Sequence, residues 1–145
     1  MSLYRHILVA LEADEEAHRL LAHGKQLAEK FSAALSAVHV VEPVAADLGG
    51  DVGVVPTNIS VELSEQSRKL LLPICASHGL IPDQLQILVG PISSSIRDAA
   101  DDAGADLIVI GHHRHRGLAA LFGHTDKGVV GKTHCDVLVV ALQAT

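Results

Sequence analysis

The 145-residue chain reads as an α/β domain, doubly wound around a parallel sheet with helices on both faces. Three observations carry that reading. Short β-branched runs alternate with longer amphipathic stretches, as in successive β-α-β crossovers. Several of the runs are continuously apolar, which suits strands covered by helices on two sides. The length suits one core with four or five strands, and neither an internal repeat nor a linker divides residues 1–145, so a single domain is expected.

The first strand is Ile7-Leu8-Val9-Ala10-Leu11. From Asp14 the period becomes helical: Ala17, Leu20, Leu21, Gly24, Leu27, Ala28 and Phe31 share one side, opposite Glu15, Glu16, Arg19, Lys25 and Glu29. A second strand, Leu35 to Val41, stops at Glu42-Pro43 because proline cannot continue a ladder. Residues 44–56 contain Gly49, Gly50 and Gly53 without helical periodicity and are expected to form a mobile loop. Thr57 or Ser60 then opens a helix that should run to about His78 and bend at Pro73. Leu85 to Val89 forms a third strand, and after Gly90-Pro91 a helix places Ile92, Ile96, Ala99, Ala100 and Ala103 on its sheet side. The fourth strand, Asp106 to Ile110, is expected to end at Gly111. A last helix over roughly 123–133 precedes the final strand, Val137 to Leu142.

Composition narrows the function. Mean hydropathy is +0.32 and 48% of residues are hydrophobic, yet no apolar run approaches the roughly 20 residues of a membrane span. The opening Met1-Ser2-Leu3-Tyr4-Arg5-His6 passes straight into a strand without secretory signal features, so a soluble, cytoplasmic protein with no membrane partner is expected. Cys75 and Cys135 lie in or beside apolar segments and read as structural thiols. A net charge of −6 and the near absence of aromatic residues argue against a nucleic-acid partner. The basic groups are not spread evenly, however. Arg114, Arg116 and Lys127 share one stretch with His112, His113, His115 and His124.

In an open α/β sheet the ligand crevice lies at the carboxyl ends of two strands whose connections leave in opposite directions. If strand 4 returns beside strand 1, the crevice is flanked by Leu11-Glu12-Ala13-Asp14 and Gly111-His112-His113-Arg114. The first segment offers carboxylate acceptors for ribose or amine donors. The second offers glycine, imidazole and guanidinium groups suited to an anion, with Arg114 able to act as a bidentate donor. Gly123-His124-Thr125 begins the last helix, whose free N–H groups and dipole favour a phosphate or other small anion. The plain alternative is that Gly123 ends a loop, Thr125 or Asp126 caps the helix, and the arginines are solvated.

Several of these stretches resemble the universal stress protein family: Ile7 to Glu12, Val38-His39-Val40-Val41, Val89-Gly90-Pro91, Asp106 through His113, and Cys135 through Val140. The resemblance implies a five-stranded parallel sheet in the order 3-2-1-4-5, of the adenine nucleotide alpha hydrolase-like type. It also implies a homodimer paired through the last strand, Val137 to Leu142. The physical reading agrees about the dimer, because so apolar a terminal strand would invite aggregation if left bare.

Some members of the family bind ATP, and the resemblance implies how. Their pattern has an aspartate after the first strand, then Gly-x2-Gly, nine residues, and Gly followed by Ser or Thr. Here Glu12 stands at the aspartate position, Gly111 at the first glycine, Arg114 at the second, and Gly123-His124 at the late pair after a spacer shorter by one. Val40 matches the strand position whose backbone the family uses for adenine. Arg114 removes a glycine that would let the backbone approach phosphate closely. The Gly111-His112-His113 and Thr133-His134-Cys135-Asp136 segments resemble the branch typified by universal stress protein A, which lacks evident ATP binding. The cofactor site therefore comprises Leu11, Glu12, Val40, Gly111, His112, His113, Arg114, Gly123, His124 and Thr125, for ATP, another adenine nucleotide or a simpler anion.

A binding module without catalytic residues is the leading reading, with no metal required. One rival is slow ATP hydrolysis or phosphotransfer, with Glu12 or Asp14 orienting water or magnesium and Arg114 and Thr125 holding phosphates. Another is a metal site in the His112 to His115 loop. Gly131-Lys132-Thr133 is not a P-loop, since Asp126 replaces the required glycine and the tripeptide sits late in a helix. His39 reads as a satisfied, half-buried histidine, and Ser93-Ser94-Ser95 as the start of a helix.

Overall fold

The computed structural model describes residues 3–43, 47–48, 51–52, 57–113 and 134–142. The elements run β1 (His6–Ala10), α1 (Glu16–Phe31), β2 (Ala34–Val41), β3 (Asp47–Leu48), β4 (Asp51–Val52), α2 (Thr57–Ser77), a short 3₁₀ turn (Pro82–Gln84), β5 (Leu85–Val89), α3 (Ile92–Ala103), β6 (Leu107–His113) and β7 (Asp136–Leu142). Five strands pair in parallel in the order β5-β2-β1-β6-β7. Counted along the chain without the short β3 and β4, that is the expected order 3-2-1-4-5.

The alternation of side chains along each strand sorts the core into two layers. Ile7 and Val9 of β1 and Leu107 and Val109 of β6 pack with Ala17, Leu20, Leu21 and Ala28 of α1 and with Leu71, Ile74 and Cys75 of α2. Leu8, Val38, Val40, Ile108 and Ile110 face the other way, against Ile96, Ala99 and Ala100 of α3. Strands buried on two faces must be apolar at every position, which is why β1 and β6 read as unbroken runs instead of alternating ones. The close seating of α1 depends on Gly24, where a Cβ would lie 2.5 Å from Val9 Cγ2.

The amino ends of the strands are stitched together by side chains. The Asp106 carboxylate accepts from the backbone N–H groups of Arg5 at 2.9 Å and His6 at 3.1 Å. Tyr4 donates its hydroxyl to Asp136 at 2.8 Å and packs edge-on against Phe31, with ring centroids 5.1 Å apart. Cys75 is buried, and burial pushes its thiol pKa up, as befits a packing residue. Both cysteines are free.

Four expectations change. β6 does not stop at Gly111 but continues through His112 and His113, because β7 supplies ladder partners: Gly111 lies opposite Val140, His112 opposite Ala141 and His113 opposite Leu142. Gly111, His112 and His113 are therefore strand residues, not loop residues. Within 44–56, where a loop was expected, Asp47-Leu48 and Asp51-Val52 form a two-residue antiparallel ladder. Ala103 is exposed in the last turn of α3, past the point where the helix still overlies the sheet, although Ile96, Ala99 and Ala100 are buried as expected. Lastly, several strand ends shift by one residue: β1, β2 and β7 begin early, at His6, Ala34 and Asp136, β1 ends at Ala10, and β6 begins at Leu107. The expected helix over 123–133 lies outside the described residues.

Candidate functional site

At the carboxyl ends of β1, β2 and β6 the sheet opens into a cavity of about 140 Å³. β1 sits at the winding reversal, since the chain moves from it to β2 on one side and later returns to place β6 on the other. Neither connection covers the gap between two such strands, so a crevice forms there. The walls include Leu11, Glu12, His39, Val40, Ile110 and Gly111. Ile92 and Ile96 of α3 close one side, and Leu20 and Leu142 lie on the other. The space is below the roughly 300 Å³ of typical whole-ligand pockets.

The polar groups at this rim are few and specific. Leu11 continues the β1 ladder by donating its N–H to the carbonyl of Val38 at 2.8 Å. Its own carbonyl accepts from His39 Nδ1 at 2.7 Å. A carbonyl can only accept, so that bond fixes the proton of neutral His39 on Nδ1 and leaves Nε2 as an acceptor. Glu12 is exposed at the mouth. Asp14 lies just ahead of α1, and its Oδ1 accepts from the N–H of Glu16, the first residue of that helix, at 2.9 Å.

Gly111 has a packing role as well as a place in the wall. A Cβ there would stand 2.6 Å from Leu142 Cδ1 and 3.2 Å from Leu20 Cδ2. The adjoining His112 is partly buried, and its Nδ1 is the buried side-chain polar atom among the described residues with no hydrogen-bond partner. Such an atom costs about 1–3 kcal/mol unless a partner arrives.

Of the residues selected from sequence, Leu11, Glu12, Val40 and Gly111 meet around this one cavity. His112 lies next to it in β6, and the backbone of His113 is held in the ladder to β7. Arg114, Gly123, His124 and Thr125 lie outside the described residues, as does His115 of the histidine run. No group of three or more His, Cys, Asp or Glu side chains gathers to hold a metal among the described residues. His39 lines the cavity too, although sequence reasoning did not place it at the site. It is satisfied and half-buried as expected, but its position two residues before the end of β2 was the signal that it reaches the crevice. Among the described residues no helix is long and apolar enough to cross a membrane.

Comparison with known proteins agrees with this architecture. The Universal stress protein A homolog 2 of Coxiella burnetii is 32% identical over the whole of both chains. The crystal structure of a universal stress protein in complex with cAMP superposes with a TM-score of 0.63 at 20% identity, covering 97% of this chain and 98% of that one. The Archaeoglobus fulgidus universal stress protein in complex with dAMP gives a TM-score of 0.62 at 21% identity, covering 94% and 98%. The model of the Universal stress protein family matches residues 3–141, and the chain belongs to that family.

Proposed function

We propose that this chain is a cytoplasmic, homodimeric stress-response protein of one domain that acts by binding an adenine nucleotide, not by turning one over. The observation that carries this is the meeting of Leu11, Glu12, Val40 and Gly111 around one cavity at the carboxyl ends of the strands. In this reading the base lies between the apolar wall and the backbone of Val40, and Glu12 accepts from ribose hydroxyls. Arg114, Gly123, His124 and Thr125 take the phosphates. Complexes of cAMP and dAMP with proteins of the same fold support an adenine nucleotide as the ligand class. The dimer is supported by β7, which among the described residues has β6 on one side only and leaves Leu138 exposed. Pairing two β7 edges across a twofold axis would cover both.

Calorimetric titration of the purified protein with AMP, cAMP and ATP tests the site. Glu12→Ala should weaken binding by roughly 1.5–3 kcal/mol, about tenfold to a hundredfold, the range for a hydrogen bond to a charged group. No binding by any of the three, or binding indifferent to that substitution, would remove the basis for the assignment. Release of ADP from ATP above the buffer rate would replace the binding role with turnover. Light scattering tests the assembly: Leu138→Lys should shift the dimer towards monomer.

A further inference from the structure

Outside the residues that line the crevice, two of the ten histidines meet across the helices of the α1 and α2 layer. His18 lies in the first turns of α1, and His78 follows the last residue of α2. His18 Nδ1 and His78 Nε2 stand 3.1 Å apart, with ring centroids 5.3 Å apart and planes tilted by 53°. Two imidazoles at this distance share one proton, one nitrogen donating and the other accepting. Tetrahedral bonds of about 2.0–2.1 Å to a zinc-sized ion hold two ligand nitrogens roughly 3.4 Å apart. The rings therefore need to part by only a few tenths of an ångström to hold a cation in place of the proton.

We propose that His18 and His78 form a binding site for a divalent cation of the zinc and nickel class, tying the start of α1 to the end of α2. Three features beyond the pair favour this. Glu15 Oε2 lies 3.9 Å from His18 Nε2, the nitrogen turned away from the shared position, so a small side-chain rotation completes a carboxylate–histidine–metal relay. His78 sits at the carboxyl end of a long helix, where the dipole attracts positive charge. Glu15 and Glu16 offset the opposite dipole end at the start of α1.

The charge that opposes the site is Lys25, whose Nζ lies 3.7 Å from where a Cβ at Gly79 would be, beside His78. On binding, the ring that donates shifts its proton to its other nitrogen, so the neutral pair loses no proton overall. His18 is 45% exposed, which leaves the remaining positions on the cation to water.

The test is calorimetric titration of the full-length protein with zinc chloride and with nickel chloride in a nucleotide-free, non-chelating buffer. One site per chain is expected, lost in both His18→Ala and His78→Ala. His18→Gln and His78→Gln serve as a second pair, with circular dichroism showing that each variant folds. Glu15→Gln should weaken the site about tenfold, and Lys25→Gln should tighten it. Long-range proton–nitrogen NMR should move the His18 Nδ1 and His78 Nε2 signals on adding zinc. Unchanged affinity in both alanine variants, or signals moving only at other histidines such as His112, would overturn the assignment.

Discussion

Replacing Gly111 by alanine separates two reasons for a glycine at the crevice. Its φ is not in the left-handed region, unlike those of Gly79 and Gly104, so the backbone accepts a side chain. Restricting the unfolded chain would by itself stabilise the variant by about 0.4–1 kcal/mol. The added Cβ, however, would stand 2.6 Å from Leu142 Cδ1 and 3.0 Å from its Cγ, and Leu142 is only 1% exposed. Overpacking of this kind costs about 1–3 kcal/mol. The net expectation is a loss of roughly 1–2 kcal/mol, or about 3–6 °C in Tm for a domain of this size. Urea unfolding of Gly111→Ala in the ligand-free protein measures it, and the Leu142→Ala background supplies the control. With Leu142 shortened, the same substitution should become close to neutral, a coupling that a double-mutant cycle reads directly. If Gly111→Ala stabilised the ligand-free protein, or cost the same in both backgrounds, contact with Leu142 would not be what keeps a glycine there.

Gly24→Ala sets the same conflict inside a helix. The gain in helix propensity of about 1 kcal/mol is opposed by a Cβ placed 2.5 Å from Val9 Cγ2, and thermal unfolding should show a lower Tm than wild type. Asp106→Asn tests the amino end of the sheet. Burial pushes the Asp106 carboxyl pKa up, but the N–H groups of Arg5 and His6 outweigh it and hold it below its ordinary value of 3.8. A carboxyl that ionises more readily when folded stabilises the protein above that ordinary value and ceases to as pH falls through its folded one. The stability difference between wild type and Asp106→Asn should thus be present at neutral pH and shrink in acid, as urea titrations from pH 7 to pH 3 would record.

The inner strands were legible because burial on both faces leaves an unbroken apolar signature, carried by Ile7 to Ala10 and Leu107 to Ile110, whereas β5 is interrupted by exposed Gln86 and ends in exposed Val89. The helix faces were legible from periodicity, down to Leu20, Leu21 and Gly24. The end of β6 was not, because Gly111, His112 and His113 have no intrinsic preference for a strand. They are in one because Val140, Ala141 and Leu142 offer them partners, and that information lies almost 30 residues downstream. His39 was hidden for a similar reason. A polar ring within a β-branched run says only that it must be satisfied, and its partner, the Leu11 carbonyl, is supplied by strand register. The pairing of His18 with His78 was invisible too, since it joins residues 60 positions apart.

The two ends of the sheet treat their polar groups differently, and that asymmetry bears on where a ligand belongs. At the amino end, Asp106 takes the N–H groups of Arg5 and His6, Tyr4 is bonded to Asp136, and His6 Nε2 lies 2.7 Å from Ser36 Oγ. These bonds tie β1, β2, β6 and β7 together. At the carboxyl end, Glu12 stands exposed, His39 uses one nitrogen on Leu11, and His112 Nδ1 is buried without a partner. Glu12 and His39 edge a cavity there whose walls include the apolar side chains of Leu20, Ile92, Ile96, Ile110 and Leu142. A fold that ties its amino end together with such bonds and opens its carboxyl end into an apolar slot edged by Glu12 and His39 has, at that carboxyl end, the surface where a ligand would gain contacts. Under the proposed function, a flat heteroaromatic base carrying ribose hydroxyls would use both the apolar walls and the polar rim, which a purely apolar ligand or a bare anion would not.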